Sequence, residues 1–288
     1  MNRRPGWIKT SAPDMESEQK VGEKLEELGL NTVCREADCP NQGECWREGT
    51  ATFMLMGSIC TRNCRFCDVA TGDPGGELDG AEPERVRRAV EEFGLDYVVL
   101  TSVDRDDLPD EGASHFSETV EEIKELSDPP IVEGLIPDFS GKVESLESVA
   151  GSGLEVLGHN LETVRRLSPR VRDRRAGYEL SLSVLEKVKR LNPNLVTKSS
   201  IMVGLGETRE EIVEAMEDLR DVGVDILTVG QYLRPTEEQL PVEKFWESSE
   251  FKELKMNGID KGFSSVISGP FVRSSYRAKE TYLKAKRR

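Results

Sequence analysis

Between residues 51 and 230 short apolar runs alternate with helix-patterned stretches, and that alternation confines the chain to an α/β architecture. The strand-like runs are ATFMLMG (51–57), YVVLT (97–101), IVEGL (131–135), LEVLGHN (154–160), TKSSIMVGL (197–205) and ILTVG (226–230). They are apolar and largely β-branched, as strands buried on both faces should be. Helices are predicted over 83–93, about 114–126, about 140–150, 178–191 and 208–222. The first carries Val86, Ala89, Val90 and Phe93 on one face, with Pro83 in its opening turn and Gly94 as its stop. The last is the best marked. Thr208 and Glu211 have capping-box spacing, Ile212, Ala215, Met216, Leu219 and Val222 make one face, and Gly223 closes it. Six βα units in series predict a partial (βα)6 TIM-like barrel with N- and C-terminal extensions.

In such barrels the active site lies at the C-terminal ends of the strands. The segments predicted there are polar or Gly-rich: CTRNCRFC, TSVDRDD (101–107), LIPDF, HNLET (159–163), VGLGET (203–208) and GQYLRP (230–235). Each also has a plain reading, since Asp and Asn at strand ends often cap helices or make turns. VGLGET lacks the full dinucleotide fingerprint and is weak as a phosphate loop. The weight lies in their sharing one face.

All six cysteines fall between residues 34 and 67, in two groups of three. Cys34, Cys39 and Cys45 are spaced C-x4-C-x5-C; Cys60, Cys64 and Cys67 are spaced C-x3-C-x2-C. A closed structural zinc site takes four ligands. Neither group contains a histidine, and His115 and His159 are far away in sequence. A four-thiolate zinc site drawn from both groups would leave two cysteines idle. Three cysteines on an iron–sulfur cubane leave one iron without a protein thiolate, and an open coordination position is what a catalytic centre needs.

The balance is acidic, 39 Lys+Arg against 54 Asp+Glu, for a net charge of −15. That disfavours a nucleic-acid partner, which calls for a basic patch, and it is compatible with a salt-rich interior. No run of about 18 apolar residues predicts a transmembrane helix. MNRRPGWIKT has no apolar stretch behind it to make a secretory signal. A cytoplasmic, membrane-free setting with reduced cysteines is expected.

C-x3-C-x2-C with an aromatic, Phe66, before its last cysteine resembles the signature of the radical S-adenosylmethionine (SAM) superfamily. The wider set RRPGWIK, CREADCPNQGEC, GTATFMLMGSICTRNCRFCDV, TSVDRDDL, IPDF, HNLETV, VGLGET, GQYLRP and GPFVRSSY resembles the lipoyl synthase family over nearly the whole chain. The resemblance implies three parts: 1–50 as an extension carrying the first cysteine triad, 51–262 as the radical SAM barrel, and 263–288 as an extension carrying R-S-S-Y. It implies that Cys60, Cys64 and Cys67 hold a SAM-binding [4Fe–4S] cluster. Cys34, Cys39 and Cys45 would hold an auxiliary [4Fe–4S] cluster with Ser275 as fourth ligand, Arg273 lying nearby. Ser274 and Ser275 also read as an N-cap for a basic helix beginning near Tyr276.

Phe66 would lie near the adenine, or simply pack in the core. Gly204, Gly206 and Glu207 are implied near SAM, with Asp104, Asp106 and Asn160 as weaker candidates and His159 as structural. The implied reaction inserts sulfur at C6 and C8 of an octanoyl chain on a lysine, with the auxiliary cluster as sulfur source. The implied partners are an octanoylated lipoyl carrier protein (an E2 lipoyl domain or the glycine cleavage H protein), a low-potential electron donor such as ferredoxin or flavodoxin, and an iron–sulfur carrier. The tail KETYLKAKRR is a solvated helix end or a contact for an acidic carrier. Two other readings stay open on the residues: a radical sulfur-insertion enzyme with a different alkyl substrate, and an electron carrier or zinc-stabilised module with closed four-cysteine sites.

Overall fold

The computed structural model describes residues 5–6, 22–32, 41 and 50–287. Cys34, Cys39 and Cys45 lie outside the described residues. An eight-stranded sheet organises the rest, in the order β1 (Asn31–Thr32), β2 (Thr50–Leu55), β5 (Tyr97–Ser102), β6 (Ile131–Leu135), β7 (Val156–Gly158), β8 (Val196–Val203), β9 (Ile226–Gln231) and β10 (Ser265–Gly269). β2 and β5 to β9 are the six expected strands, all parallel to one another. Each terminal segment adds one more. β1 pairs antiparallel with β2, and β10 pairs parallel with β9. Among the described residues no β10–β1 pair closes the ring, and the sheet runs open from β1 to β10.

The helices are α1 (Glu82–Phe93), α2 (Ala113–Lys124), α3 (Val143–Gly151), α4 (Ser168–Val171), α5 (Tyr178–Leu191), α6 (Arg209–Asp221), α7 (Ser248–Asp260) and α8 (Ala278–Lys286). Their ends follow local chemistry. In α6 the Thr208 hydroxyl accepts from Glu211 N and the Glu211 carboxylate accepts from Thr208 N, a full capping box. Gly94 closes α1 at φ 59°, a left-handed turn that glycine adopts without steric cost. Strand β2 stops at Leu55, earlier than its apolar run, because Met56 and Gly57 turn at φ 67° and 88°. Helix α8 begins at Ala278, later than Tyr276. Its N-cap is Arg277 with no side-chain capping bond, so neither Ser274 nor Ser275 caps it.

Alternation along the strands divides the core. One face of the sheet meets the outer helices through two large apolar clusters. The inner face presents Tyr97, Val99, Val156, Val196 and Ile226, and against these pack Ala278 and Tyr282 of α8. The Tyr97 and Tyr282 rings stand 6.3 Å apart. Buried on the same inner face, Glu133 accepts from Lys198 Nζ at 2.7 Å and from the Tyr97 hydroxyl at 2.6 Å. The polar strand-end loops are left as the mouth.

Candidate active site

The loop carrying Cys60, Cys64 and Cys67 leaves β2 through the Met56–Gly57 turn. Met56 N donates to the buried Glu82 carboxylate at 2.9 Å, and His115 Nε2 meets the same oxygen at 2.7 Å. Gly112 makes room for the turn, since a Cβ there would stand 2.2 Å from Met56 Sδ. His115 therefore supports the loop from below and is no ligand. A two-stranded ribbon follows, β3 (Ile59–Cys60) with β4 (Ala70–Thr71).

Arg62, between the first two cysteines, ties this loop to the barrel. Its buried guanidinium donates to both Asp138 oxygens at 2.5 and 2.8 Å and to Asp106 at 2.8 Å, and lies 3.3 Å from Asp104. Asp104 and Asp106 follow β5, and Asp138 follows β6, so one side chain fixes three segments. Fork-shaped, charge-assisted bonds of this kind specify geometry as well as attraction.

All three cysteines are free and half-buried. Cys60 Sγ accepts from Arg62 N at 3.4 Å and Asp104 N at 3.3 Å, and Cys64 Sγ accepts from Asp173 N at 3.3 Å. Burial pushes the thiols up, Cys60 and Cys67 to about 11 and Cys64 to about 12, and the charges of Asp104 and of the neighbouring sulfurs add to it. Thiols so placed stay protonated at neutral pH unless a metal displaces the proton. The backbone N–H donors suit sulfurs that carry negative charge. Among the described residues no three His, Cys, Asp or Glu side chains converge tightly enough for a single ion. A cubane asks for less, because each thiolate binds its own iron. The donor set fits an iron–sulfur cluster.

The other expected residues fall around this loop in different ways. Asp104 Oδ2 lies 3.6 Å from Cys60 Sγ, and burial, with Asp138 and Asp106 beside it, raises its carboxyl to about 6 against the pull of Arg62. Phe66 packs on the core cluster beneath the loop. Asn160 hydrogen-bonds Glu162, whose backbone is left-handed at φ 68° and whose carboxyl is raised by burial. Gly204 and Gly206 have φ 111° and 105°, and a Cβ on Gly204 would stand 2.2 Å from Gln231 Nε2. Glu207 accepts from Gly204 N, Leu205 N and Trp246 Nε1 at 2.5, 2.9 and 2.9 Å, so its carboxylate holds its own loop. His159 is structural in its bonding: its ring nitrogens meet Ile136 O and Ser181 Oγ. Arg62, Asp138, Asp173 and Glu162 were not singled out by spacing. An arginine enclosed by two cysteines was the available signal.

The R-S-S-Y segment docks on the end of β9. Val272 O comes so close to Gly230 that a Cβ there would stand 2.1 Å away, and Arg273 Nη1 reaches Gln231 O at 3.4 Å. Asn41, which lies between Cys39 and Cys45 in sequence, is buried and donates to Phe271 O at 2.7 Å. The Ser275 hydroxyl is half-buried and makes no hydrogen bond among the described residues.

A parallel α/β sheet with three metal-ready cysteines at its mouth defines a class, and the comparisons agree with it. The Radical SAM superfamily model matches residues 54–219, more than half of the chain. The fold resembles the FeFe-hydrogenase maturase of Carboxydothermus hydrogenoformans, with a TM-score of 0.62 and 14% identity over 94% of this chain and 69% of that one. It also resembles a methylornithine synthase, at TM-score 0.52 and 16% identity over 83% and 73%. This is a radical SAM enzyme, using SAM and [4Fe–4S] chemistry. Its sequence relatives are narrower. Lipoyl synthase of Halorhodospira halophila is 56% identical over 96% of this chain and 83% of that protein. The Thermus thermophilus enzyme is 54% identical over 99% and 88%, and that of Deinococcus radiodurans is 54% identical over 96% and 84%. The chain belongs to the lipoyl synthase family. Among the described residues no helix is long and apolar enough to cross a membrane.

Proposed function

We propose that this lipoyl synthase carries two [4Fe–4S] clusters and converts an octanoyl-lysine on a carrier protein into a lipoyl group, at C6 and then C8. Cys60, Cys64 and Cys67 would hold the first cluster, with a position left open for SAM. With SAM bound there, the cluster would supply the electron for reductive SAM cleavage and so the radical chemistry of hydrogen abstraction. The chain's own work is placement and shielding. Arg62 fixes the cysteine loop, the strand-end residues Asn160, Gly204 and Gly206 border the mouth, and α8 closes the inner face from below, keeping water from a reactive centre.

Cys34, Cys39 and Cys45, with Ser275, would hold the second cluster, which would supply the sulfur, and Arg273 anchors the serine's segment to β9. The observation that carries this assignment is the Asn41–Phe271 bond, which joins the first cysteine segment to the R-S-S-Y segment across 230 positions. The half-buried Ser275 hydroxyl, which makes no hydrogen bond among the described residues, supports it. A hard oxygen ligand among soft thiolates suits a cluster that must come apart to give up sulfide. The substrate is an octanoylated E2 lipoyl domain or glycine cleavage H protein. A low-potential ferredoxin or flavodoxin and an iron–sulfur carrier complete the cycle in a reducing cytoplasm.

The test is an anaerobic reaction of reconstituted protein with SAM, dithionite and an octanoyl-lysine peptide, read by mass spectrometry. A peptide gaining two sulfurs alongside 5′-deoxyadenosine is expected. 5′-Deoxyadenosine with an unchanged peptide would refute the substrate. Ser275→Ala should retain SAM cleavage and lose most sulfur insertion; equal loss of both would remove Ser275 from the sulfur-donating cluster.

A further inference from the structure

Residues 165–175 read RRLSPRVRDRR, six arginines and one aspartate in eleven positions of a chain with net charge −15. The stretch runs alongside the cysteine loop. Arg65 N donates to Val171 O at 2.9 Å, Asn63 N to Asp173 Oδ2 at 3.0 Å, and the Arg175 guanidinium to Thr61 O at 2.6 Å. One bond reaches a sulfur directly, Asp173 N to Cys64 Sγ at 3.3 Å.

The arginines divide by what holds them. Arg165 is paired with Glu179 and Asp218, Arg166 with Glu211, and Arg175 with Asp173 and Asp106, while Arg172 is buried on Ser181. Arg174 is exposed and has no ion pair or hydrogen bond among the described residues. Arg170 is half-exposed, 3.3 Å from an equally exposed Glu243, an arrangement that contributes little. Arg65 is exposed, and among the described residues its guanidinium reaches only Arg170 O, at 3.5 Å. Three exposed arginines thus lie on the two bonded segments, the cysteine loop and the 170–174 stretch, that meet at Cys64.

We propose that Arg65, Arg170 and Arg174 form the docking surface for an acidic protein that donates one electron at low potential. This rests on the radical SAM reading of Cys60, Cys64 and Cys67. An acidic partner is repelled at long range by a −15 chain and steered to a basic patch. Electron transfer falls steeply with distance, and here the surface is one residue and one N–H···S bond from a ligand sulfur. Entry at this edge leaves the lumen closed around the substrate. In the transfer the donor loses one electron and the cluster gains it; no bond breaks and no proton moves. The octanoylated carrier is the competing occupant, and it has to reach the lumen, not the cluster edge.

The test compares wild type, Arg174→Glu, the double variant Arg170→Glu with Arg174→Glu, and Arg190→Glu. Arg190 lies near the C-terminal end of α5, at the opposite end of the strands, and serves as a charge-matched control. The probe is photoreduced flavodoxin. Its anaerobic binding is read by titration, and cluster bleaching by stopped flow, with dithionite, a small diffusible reductant that needs no protein docking surface, as the control for reducibility. Expected is a wild-type affinity that weakens with salt, with binding and second-order reduction cut about tenfold in the double variant at low ionic strength. Arg174→Glu should fall between, Arg190→Glu should match wild type, and dithionite should bleach all four alike. Unchanged flavodoxin binding in the double variant overturns the proposal. So does a raised KM for the octanoylated carrier, under dithionite, with flavodoxin unaffected. Failure of dithionite to bleach wild type would instead sink the cluster reading itself.

Discussion

Arg62 shows how much of the cysteine loop can rest on one side chain. It is buried among Asp138, Asp106, Asp104 and, at 3.9 Å, Glu111. Removing it strands buried carboxylates, and breaking such a pair costs about 3–5 kcal/mol. Arg62→Ala should therefore lower the urea midpoint of the metal-free chain and the iron retained after reconstitution. Arg62→Lys should recover part of the stability, since a point charge cannot reproduce the fork. An unchanged midpoint in Arg62→Ala would mean that water already solvates these carboxylates. His159 acts at the same scale through protonation. Its Nδ1–H donates to Ile136 O, its Nε2 accepts from Ser181 Oγ, and that oxygen accepts from Arg172 at 2.7 Å. Burial, with Arg172 nearby, lowers its pKa to about 4 from the ordinary 6.5. Between those values the unfolded chain binds the extra proton, so the contribution is intact above pH 6.5 and shrinks as pH falls toward 4. At about 1.4 kcal/mol per pH unit, roughly 2 kcal/mol is gone by pH 5. Urea unfolding at pH 7 and 5 checks this: the drop should be smaller in His159→Gln, and an equal drop in both would assign it to other groups.

At the scale of elements, legibility tracked the strength of the periodic signal. The capping box, Gly94 and the buried β5 and β6 runs were readable because each is a local device whose residues are adjacent in sequence. Helix α7 was not, because only Phe251, Leu254 and Gly258 face inward. Strand β10 was missed with it. SVISG has few apolar residues, and it is a strand because β9 offers it an edge. Gly258 lets the two approach, its notional Cβ standing 3.0 Å from Val266 Cγ2. The docking of the R-S-S-Y segment on β9 was equally invisible, since Gly230 reads as an ordinary strand glycine. Its absent side chain is what admits Val272 O. Gly230→Ala should push that segment away and take Ser275 with it. On the proposed two-cluster reading, the expected result is iron and sulfide content reduced to about half, through loss of the cluster that Ser275 would complete, with SAM cleavage retained. Full iron content would show that the segment tolerates the methyl group.

For the whole molecule, the fold and the cluster loop separate cleanly. The three apolar clusters join strands to helices without the cysteines, and Cys60 only touches the edge of one. The class of site was legible because three thiols in one short loop state their chemistry in the spacing. What held that loop was not legible: its partners Asp138 and Asp173 come from the segment after β6 and from the stretch after α4, 76 and 110 positions from the residues they hold. A small zinc domain folds on its metal; this chain should not. Iron removal by a chelator should leave far-UV circular dichroism and the slow amide exchange of β5 to β9 intact. Faster exchange should be confined to the cysteine loop and the 171–175 stretch bonded to it, because local opening is set by local contacts. The thermal midpoint should fall, since a ligand bound only by the folded state stabilises that state. Exchange accelerating throughout β5 to β9 would instead make the cluster a structural element, and the core described above insufficient to hold the barrel.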